Sequence, residues 1–542
     1  MRHIHYYIYI MLLLALMPMC VAADDAVAAT WQAAPKREMR AVWVTTLNGL
    51  DWPRTRATSF ASRQAQQREL CQLLDQLKAA NINTVLLQTR VRGSVIYPSR
   101  IEPWDICLTG QYGVDPGYDP LAFAITEAHR RGMELHAWVV TIPCFKTAVA
   151  RQMGSRSVLR THPELCVRHG EQYYLDPGLP GTEDYLAEVC REIVANYDID
   201  GIHFDYIRYP EGATTFADAK TFKRYGNGSS SKALWRRNNI TRIVRRIYRE
   251  THAAKPWVKV SSSPVGKYAD LTRYSSRGWN ARDAVHQDAE GWLREGIHDI
   301  LFPMMYFDGV HFYPFAADWQ EQTAGRQVAP GLGIYFLHPQ EKNWPLSTVK
   351  RQLYYLRQLD MAGQCYFRSK FLTDNVKGLY DFLRDDFYAF PALVPACPWL
   401  SEETPLAPEA LQTLVVGDAT EQLTWEGPDD LRYNVYASRQ WPVDVSKAEN
   451  LVATALADRH YQYNRFEALG LYFAVTAMNR FGNESPATQA TDRAAQPAHQ
   501  RLKLDRNGHV RGLVIRPRTT AQRKTKVKVQ TKSKSSSRKK KK

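Results

Sequence analysis

The chain has 542 residues, of which 44% are apolar and 23% are charged, and its formal net charge is +16 at pH 7. This length exceeds one ordinary domain, and the apolar content is sufficient for a sizeable core. The cysteines are scattered and form no CxxC pair, so the sequence gives no support for a zinc site or any other metal site.

The N-terminus has the pattern of a secretory signal peptide. Arg2 precedes an apolar run over residues 6–19, and small residues follow at 21–23. The run is shorter than the roughly 20 residues that a membrane-spanning helix needs, and no later run is longer, so we expect no membrane span in the mature chain. We therefore predict a signal peptide over 1–23 and export to the periplasm or cell envelope. Lipid attachment at Cys20 is the alternative, but the bulky Met19 precedes that cysteine.

Between residues 36 and 398, short β-rich runs alternate with polar helical stretches. The predicted strands are 39–46, 84–90, 133–140, 201–206, 258–263, 298–306, 328–336 and 364–368, and the clearest helices are 62–80, 119–131, 182–197, 231–254 and 284–295. Eight such units predict an α/β fold, the (β/α)₈ TIM-type barrel. An open doubly wound sheet uses the same units, but no glycine-rich phosphate loop follows a strand, so we expect no nucleotide cofactor.

The chemistry of such a barrel lies at the carboxyl ends of its strands. The fourth run ends in Asp205, and Arg208 follows it closely. A carboxylate in this position can act as a nucleophile or a general acid/base, and an arginine beside it can lower its pKa or hold an anionic group. A structural Asp–Arg pair at the barrel rim is the alternative.

Aromatic, amide and charged residues at the other strand ends and in their loops have the composition of a carbohydrate site, where rings stack on sugars and polar groups bind hydroxyls. With Arg208, the predicted substrate-binding residues are Asp51, Gln88, Arg90, Tyr97, Glu102, Trp104, His136, Trp138, Tyr306 and Tyr335. Glycoside hydrolysis needs two carboxyl groups. We predict Asp205 and Asp308 as that pair, and Glu102 and Asp51 are the alternatives to Asp308.

Beyond residue 400 the sequence changes character. Alternating strands at 422–425, 433–438 and 471–478 predict a small all-β sandwich over 402–494, similar to a fibronectin type III domain, which indicates a spacer or docking module. Residues 501–542 contain 17 Lys or Arg and one acidic residue, which accounts for the whole net charge. We predict a disordered polybasic tail over 499–542 that binds an anionic surface or stays solvated. Aromatic residues do not interleave its lysines, so we expect no nucleic acid partner.

Several motifs in order resemble one family. They are Met39-Arg40-Ala41-Val42-Trp43-Val44, Asp51-Trp52-Pro53, Tyr97-Pro98-Ser99, Glu102-Pro103-Trp104, Pro116-Gly117-Tyr118-Asp119, Leu135-His136-Ala137-Trp138, the strand around Asp205, Gln287-Asp288 and Pro303-Met304-Met305-Tyr306. Over residues 36–383 the chain resembles the family 10 glycosyl-hydrolase-like proteins. The resemblance implies a (β/α)₈ barrel that hydrolyses glycan strands, with bacterial peptidoglycan the substrate best associated with the family.

The chain departs from the family pattern at two positions. Ser94 follows Gly93 where members often carry Asp, and Tyr206 follows Asp205 where many relatives have a second Asp. The missing carboxylate at Ser94 favours the alternative of a catalytically inactive protein that binds glycan or cell wall, and Tyr206 weakens any model that needs two carboxylates on the fourth strand. The strand-end position of Asp205 and its aromatic surroundings favour a glycoside hydrolase without metal or organic cofactor.

Overall fold

The computed structural model describes residues 34–226, 228–274 and 277–489. The predicted signal peptide at 1–23 and the predicted tail at 499–542 lie outside these residues. Within the described ranges, no helix combines the length and the apolar content that crossing a membrane requires.

In the described residues, eight parallel strands, two of them in two segments each, form one barrel. They are β1 Met39–Val44, β2 Thr84–Arg90, β3 Glu134–Val140, β4 Gly201–Asp205, β5 Lys259–Ser262, β6 Ile300–Leu301 with Met304–Met305, β7 Gln327–Val328 with Gly331–Leu332, and β8 Gly363–Tyr366. Strands β1 to β6 pair in chain order, β6 pairs with β7, β7 with β8, and β8 with β1 through Met39 and Gly363. This circular order closes the sheet and confirms the predicted (β/α)₈ fold.

Strands β6 and β7 are shorter than predicted because proline interrupts both. Pro303 lies between the halves of β6 and Pro330 between the halves of β7, and proline has no N–H to donate to a neighbouring strand. The predicted seventh strand also extended to residue 336. The structure instead forms a 3₁₀ turn at Ile334–Leu337, so Tyr335 lies on this turn and does not end a strand.

A helix follows each strand and covers the outside of the barrel. The helices that cover the strands are α1 Phe60–Ala79, α2 Pro120–His129, α3 Pro180–Asn196, α4 Lys232–Ala254, α5 Ala289–Glu295, α6 Tyr313–Glu321, α7 Leu346–Gln358 and α8 Leu379–Phe382, and shorter helices lie in the loops between them. The predicted helix 284–295 is divided into Ala281–Ala284 and α5, and His286 between them has a φ of 58°. Such a positive φ cannot continue a right-handed helix.

Side chains fill the barrel interior. Trp43, Trp138 and Phe302 belong to one buried apolar cluster inside the sheet, and Trp43 Nε1 donates to His203 Nε2 at 3.2 Å. At the amino-terminal end, the buried Lys259 pairs with Glu134. The barrel interior is therefore packed with side chains, and the carboxyl-terminal rim is the place where a site is expected.

Two antiparallel sheets form the C-terminal β domain. Strands β9 Glu409–Gly417, β10 Thr420–Glu426 and β13 His460–Asn464 form one sheet in the order β9-β10-β13. Strands β11 Arg432–Ser438, β12 Leu451–Leu456, β14 Tyr472–Met478 and β15 Thr488–Gln489 form the other in the order β12-β11-β14-β15. The all-β domain is confirmed, and its relation to fibronectin type III domains stays a prediction.

The β domain contacts the barrel beside the amino-terminal ends of the strands. Arg480 donates to Asp198 at 2.8 Å and to Asp200 at 3.2 Å, just before β4 begins. Lys36, just before β1, pairs with Glu484 at 2.6 Å. These contacts leave the opposite rim, where the strands end, free of the β domain.

Candidate functional site

Asp205 lies at the end of β4 in a polar and aromatic setting. Its Oδ2 accepts a hydrogen bond from Trp138 Nε1 at 3.2 Å, and its Oδ1 accepts from Ser263 Oγ at 3.0 Å and from the Tyr206 amide at 2.8 Å. Donors from β3, from the end of β5 and from its own turn therefore orient the carboxylate. Asp205 is 94% buried, although it lies at the carboxyl-terminal rim of the barrel.

The charge state of Asp205 is set by opposing effects. Burial raises the pKa of this carboxyl above its ordinary value, while the charge of Arg208 and the hydrogen bonds from Ser263, Tyr206 and Trp138 offset part of the increase. A raised carboxyl pKa suits a proton donor, because the acid form then persists closer to neutral pH.

An aromatic wall lies across the rim on β6, β7 and β8. Tyr306 stacks on Phe367 with ring centroids 5.4 Å apart, and Tyr335 contacts the edge of Tyr306 at 5.9 Å. Burial raises the pKa of Tyr306 well above its ordinary value, and the negative charge of Asp205 adds to the increase. The aromatic wall therefore lies within electrostatic range of the Asp205 carboxylate. These rings are partly exposed and offer faces on which a sugar can stack.

Asp51 and Gln88 organise the loop after β1. Arg368 and the Lys370 amide both donate to Asp51 Oδ1, the latter at 3.1 Å. Gln88 Oε1 accepts from Thr45 Oγ1 at 2.7 Å and from two backbone amides of the same loop. Both residues lie at the predicted rim, but their hydrogen bonds hold the loop in place.

Arg90 and Glu102, predicted to bind substrate, form an ion pair in which neither side chain is exposed to solvent. Arg90 Nε and Nη2 donate to the two oxygens of Glu102 at 2.7 and 2.6 Å, and Tyr185 donates to Glu102 at 2.6 Å. Arg90 also donates to the Thr141 carbonyl at 2.8 Å. With these partners the pair cannot reach a ligand, and the geometry gives it a structural role.

Three further predicted binding residues also lie in the packed interior. Tyr97 is 1% exposed and packs on Tyr197, which follows α3, at 5.7 Å, and Trp104 is 6% exposed within the same core. His136 is fully buried, pairs in register with Gly201 at the start of β4, and its Nε2 lies 3.2 Å from Glu134. Aromatic and histidine side chains near a strand can face the core or the rim, and sequence alone does not distinguish these positions.

Asp308 follows β6 at the carboxyl-terminal rim. Its side chain is exposed, and its backbone begins the 3₁₀ turn Gly309–His311. The nearby Phe307 carbonyl accepts a hydrogen bond from Gln352 at 2.8 Å, which ties this loop to α7. Asp308 and Asp205 therefore share the rim, two strands apart.

Sequence reasoning did not include some residues that the structure places here. Ser263 donates to Asp205, Phe367 stacks on Tyr306, and Trp279 is 44% exposed beside Arg208. Ser263 and Phe367 stand at the ends of predicted strands, a signal that could have identified them. Trp279 lies in a polar loop without periodicity and gave no such signal. No cluster of His, Cys, Asp or Glu in the described ranges could hold a metal ion.

The sequence profile of the family described as glycosyl hydrolase-like 10 matches residues 38–338. The chain is 32% identical over 491 residues to "Glycosyl hydrolase YngK" of Bacillus subtilis, covering 85% of this chain and 94% of the relative. It is also 32% identical to "Glycosyl hydrolase DigH" of Escherichia coli K12, covering 62% and 84%. Among solved structures, the catalytic domain of a β-amylase from Paenibacillus polymyxa is similar, with a TM-score of 0.45, 11% identity and coverage of 65% and 98%.

Proposed function

Because the chain belongs to the glycosyl hydrolase-like 10 family, we propose that it hydrolyses O-glycosidic bonds of a polysaccharide at the carboxyl-terminal rim of the barrel, with Asp205 as a catalytic carboxyl group. The observation that supports this proposal most strongly is the setting of Asp205. Donors from β3 and from the end of β5 orient the carboxylate at the end of β4, and burial raises its pKa.

In this mechanism Asp205 delivers a proton to the departing sugar oxygen. Loss of that proton is favoured once the glycosidic bond breaks, since Arg208 and the donors around the carboxylate stabilise its ionised form. Asp308, the exposed carboxylate after β6, is the proposed second group, acting as nucleophile or as base toward water. The separation of the two groups in the complex decides between retention and inversion of the sugar configuration.

The proposed substrate is the glycan strand of peptidoglycan. The resemblance of the sequence motifs to the family 10 proteins supports this substrate. The Tyr306, Tyr335 and Phe367 rings supply a wall for N-acetylated sugar rings. We further propose that the protein is exported to the periplasm or cell envelope after removal of residues 1–23.

The test is mass spectrometry of peptidoglycan digests, with intact strands and peptide-stripped strands compared. We expect saccharide fragments from the wild type and none from Asp205→Asn, which keeps the shape of the side chain but has no carboxyl proton to donate. The exposed Asp458, in the β domain, supplies the control variant Asp458→Asn, which should digest as the wild type does. Unchanged turnover in Asp205→Asn would refute the role of Asp205.

A second candidate function is glycan binding without cleavage. Ser94 stands where members of the family often carry Asp, and its Oγ donates to Asp105 Oδ2 at 2.6 Å in the buried loop after β2. The same digests decide between the two functions. Retention of the protein on glycan strands without new fragments would establish the binding protein.

The proposal also assigns roles to the β domain and to the basic segment that follows it. The β domain, proposed as fibronectin type III-like, acts as a spacer or docking module, and the basic segment 499–542 binds an anionic surface of the envelope. Deletion of 499–542 should weaken binding to anionic lipid vesicles in a salt-dependent way and spare turnover of soluble substrate. Loss of that turnover would contradict the accessory role of the tail.

A further inference from the structure

Arg208 has an unusual environment for a buried arginine. It is 4% exposed, and its Nε is buried without a hydrogen-bond partner among the described residues. The nearest carboxylate is Glu211, whose Oε1 is 3.9 Å from Nη2 and whose side chain is 70% exposed. Buried charged groups normally have paired donors, because an unpaired one costs free energy. The Nε donor of Arg208 therefore has no acceptor among the described residues.

Other buried arginines of the same barrel show what this acceptor should be. Arg90 donates through two nitrogens to Glu102, and Arg236 donates to Asp218 at 2.8 and 2.9 Å. The planar guanidinium fork matches the two oxygens of a carboxylate. Arg208 has no carboxylate within hydrogen-bond distance among the described residues, since Glu211 is 3.9 Å away.

Aromatic rings hold the guanidinium in place without using its donors. Its carbon is 4.8 Å from the Tyr206 ring centroid and 5.5 Å from the Trp279 ring centroid. Trp279 is 44% exposed, so its ring also offers an apolar face beside the cation. A ring next to a cationic fork is suited to a sugar that carries an acid group.

The surroundings of Arg208 contain a second cation. Arg92, in the loop after β2, and Arg208 both act to lower the pKa of Tyr206 and of Tyr174, against burial and acidic neighbours that raise it. The two arginines therefore place positive charge beside Tyr206, close to the carboxylates of Asp205 and Glu211. An anionic ligand is attracted there, and a neutral one gains nothing from it.

We propose that Arg208 forms a subsite for a carboxylate carried by the sugar substrate, next to the bond at Asp205. This inference rests on the proposed function, because it assumes that a glycan binds along this rim. The preferred substrate is accordingly an acidic sugar, and masking its carboxylate by an amide or ester removes the contact with Arg208.

The experiment compares peptide-free peptidoglycan glycan fragments that have free lactyl carboxylates with the same fragments converted to methyl esters. We measure kcat/KM for the wild type, Arg208→Gln and Arg208→Lys, with folding checked by thermal denaturation. The matched control is Arg249→Gln, an exposed arginine on the outer helix α4. We expect the wild type to prefer the free acid by about 10- to 100-fold, the range for a hydrogen-bonded charge pair.

Arg208→Gln should remove this preference, Arg208→Lys should keep part of it, and Arg249→Gln should keep all of it. Arg208 also affects the pKa of Asp205, but that effect changes both substrates alike, so the ratio between them isolates the subsite. Equal use of acid and ester by the wild type, or an unchanged ratio in Arg208→Gln, would overturn the proposal.

Calorimetric binding of both fragments to Asp205→Asn, with and without Arg208→Gln, separates the subsite from the activity. Binding that prefers the acid and depends on Arg208, together with no cleavage of either fragment by the wild type, would refute the hydrolase and support the subsite. If the fragments are cleaved or bound without preference for the free carboxylate, the subsite is refuted and the proposed hydrolase is not.

Discussion

Replacement of Glu102 by Gln tests whether the Arg90–Glu102 pair is structural. Both side chains are fully buried, and Glu102 accepts from two nitrogens of Arg90 and from Tyr185. Glutamine keeps the shape but removes the charge and places an NH₂ group against a donor. The Arg90 charge is then buried without a counter-charge, which costs about 3–5 kcal/mol. We expect Tm of the variant to fall by about 4–7 °C.

The assay is thermal denaturation at pH 7, followed by circular dichroism, with glycan turnover measured below the transition. Glu295→Gln is the control, because it breaks a solvent-exposed pair with Arg245 and should change Tm by little. The double variant Arg90→Met/Glu102→Leu should lose less stability than the sum of the two single replacements, since it leaves no unpaired charge. An unchanged Tm in Glu102→Gln, together with a large increase in KM, would refute the structural role.

Two further predictions concern titrating groups. Trp138→Phe removes the indole donor to Asp205 and should raise the pKa of this carboxyl further. The limb of the kcat/KM–pH profile that reports Asp205 should therefore move upward by about 0.5–1 pH unit. A limb that stays in place or moves to lower pH would contradict the assignment of this limb to Asp205. Burial, with a smaller contribution from Asp318, raises the pKa of Glu290 to about 8 from 4.5. The neutral form therefore stabilises the fold fully below pH 4.5, and this contribution is lost as pH rises through about 8. Glu290→Gln, which stays neutral, should gain in Tm relative to the wild type between pH 5 and pH 9, and a pH-independent difference would argue against this titration.

Much of the fold was predictable because its signals are local. Eight β-rich runs alternated with helical stretches, and the observed strands lie within or beside each run. Prolines explain the breaks in β6 and β7, which the pattern of apolar residues did not indicate. The β domain was predicted from the alternation within its short strands; β13 buries alternate residues, whereas β11 is buried almost throughout.

The position of Asp205 at the barrel rim followed from the sequence alone, because a carboxylate that directly follows an apolar parallel strand lies at the carboxyl end of the sheet. Tertiary structure alone decided which neighbours it has. The partners of Asp205 come from β3 and from the end of β5, and Arg90 meets Glu102 and Tyr185 inside the core. Polar residues near strand ends look alike in sequence, and packing between distant segments determines which are buried in ion pairs and which remain free for a ligand.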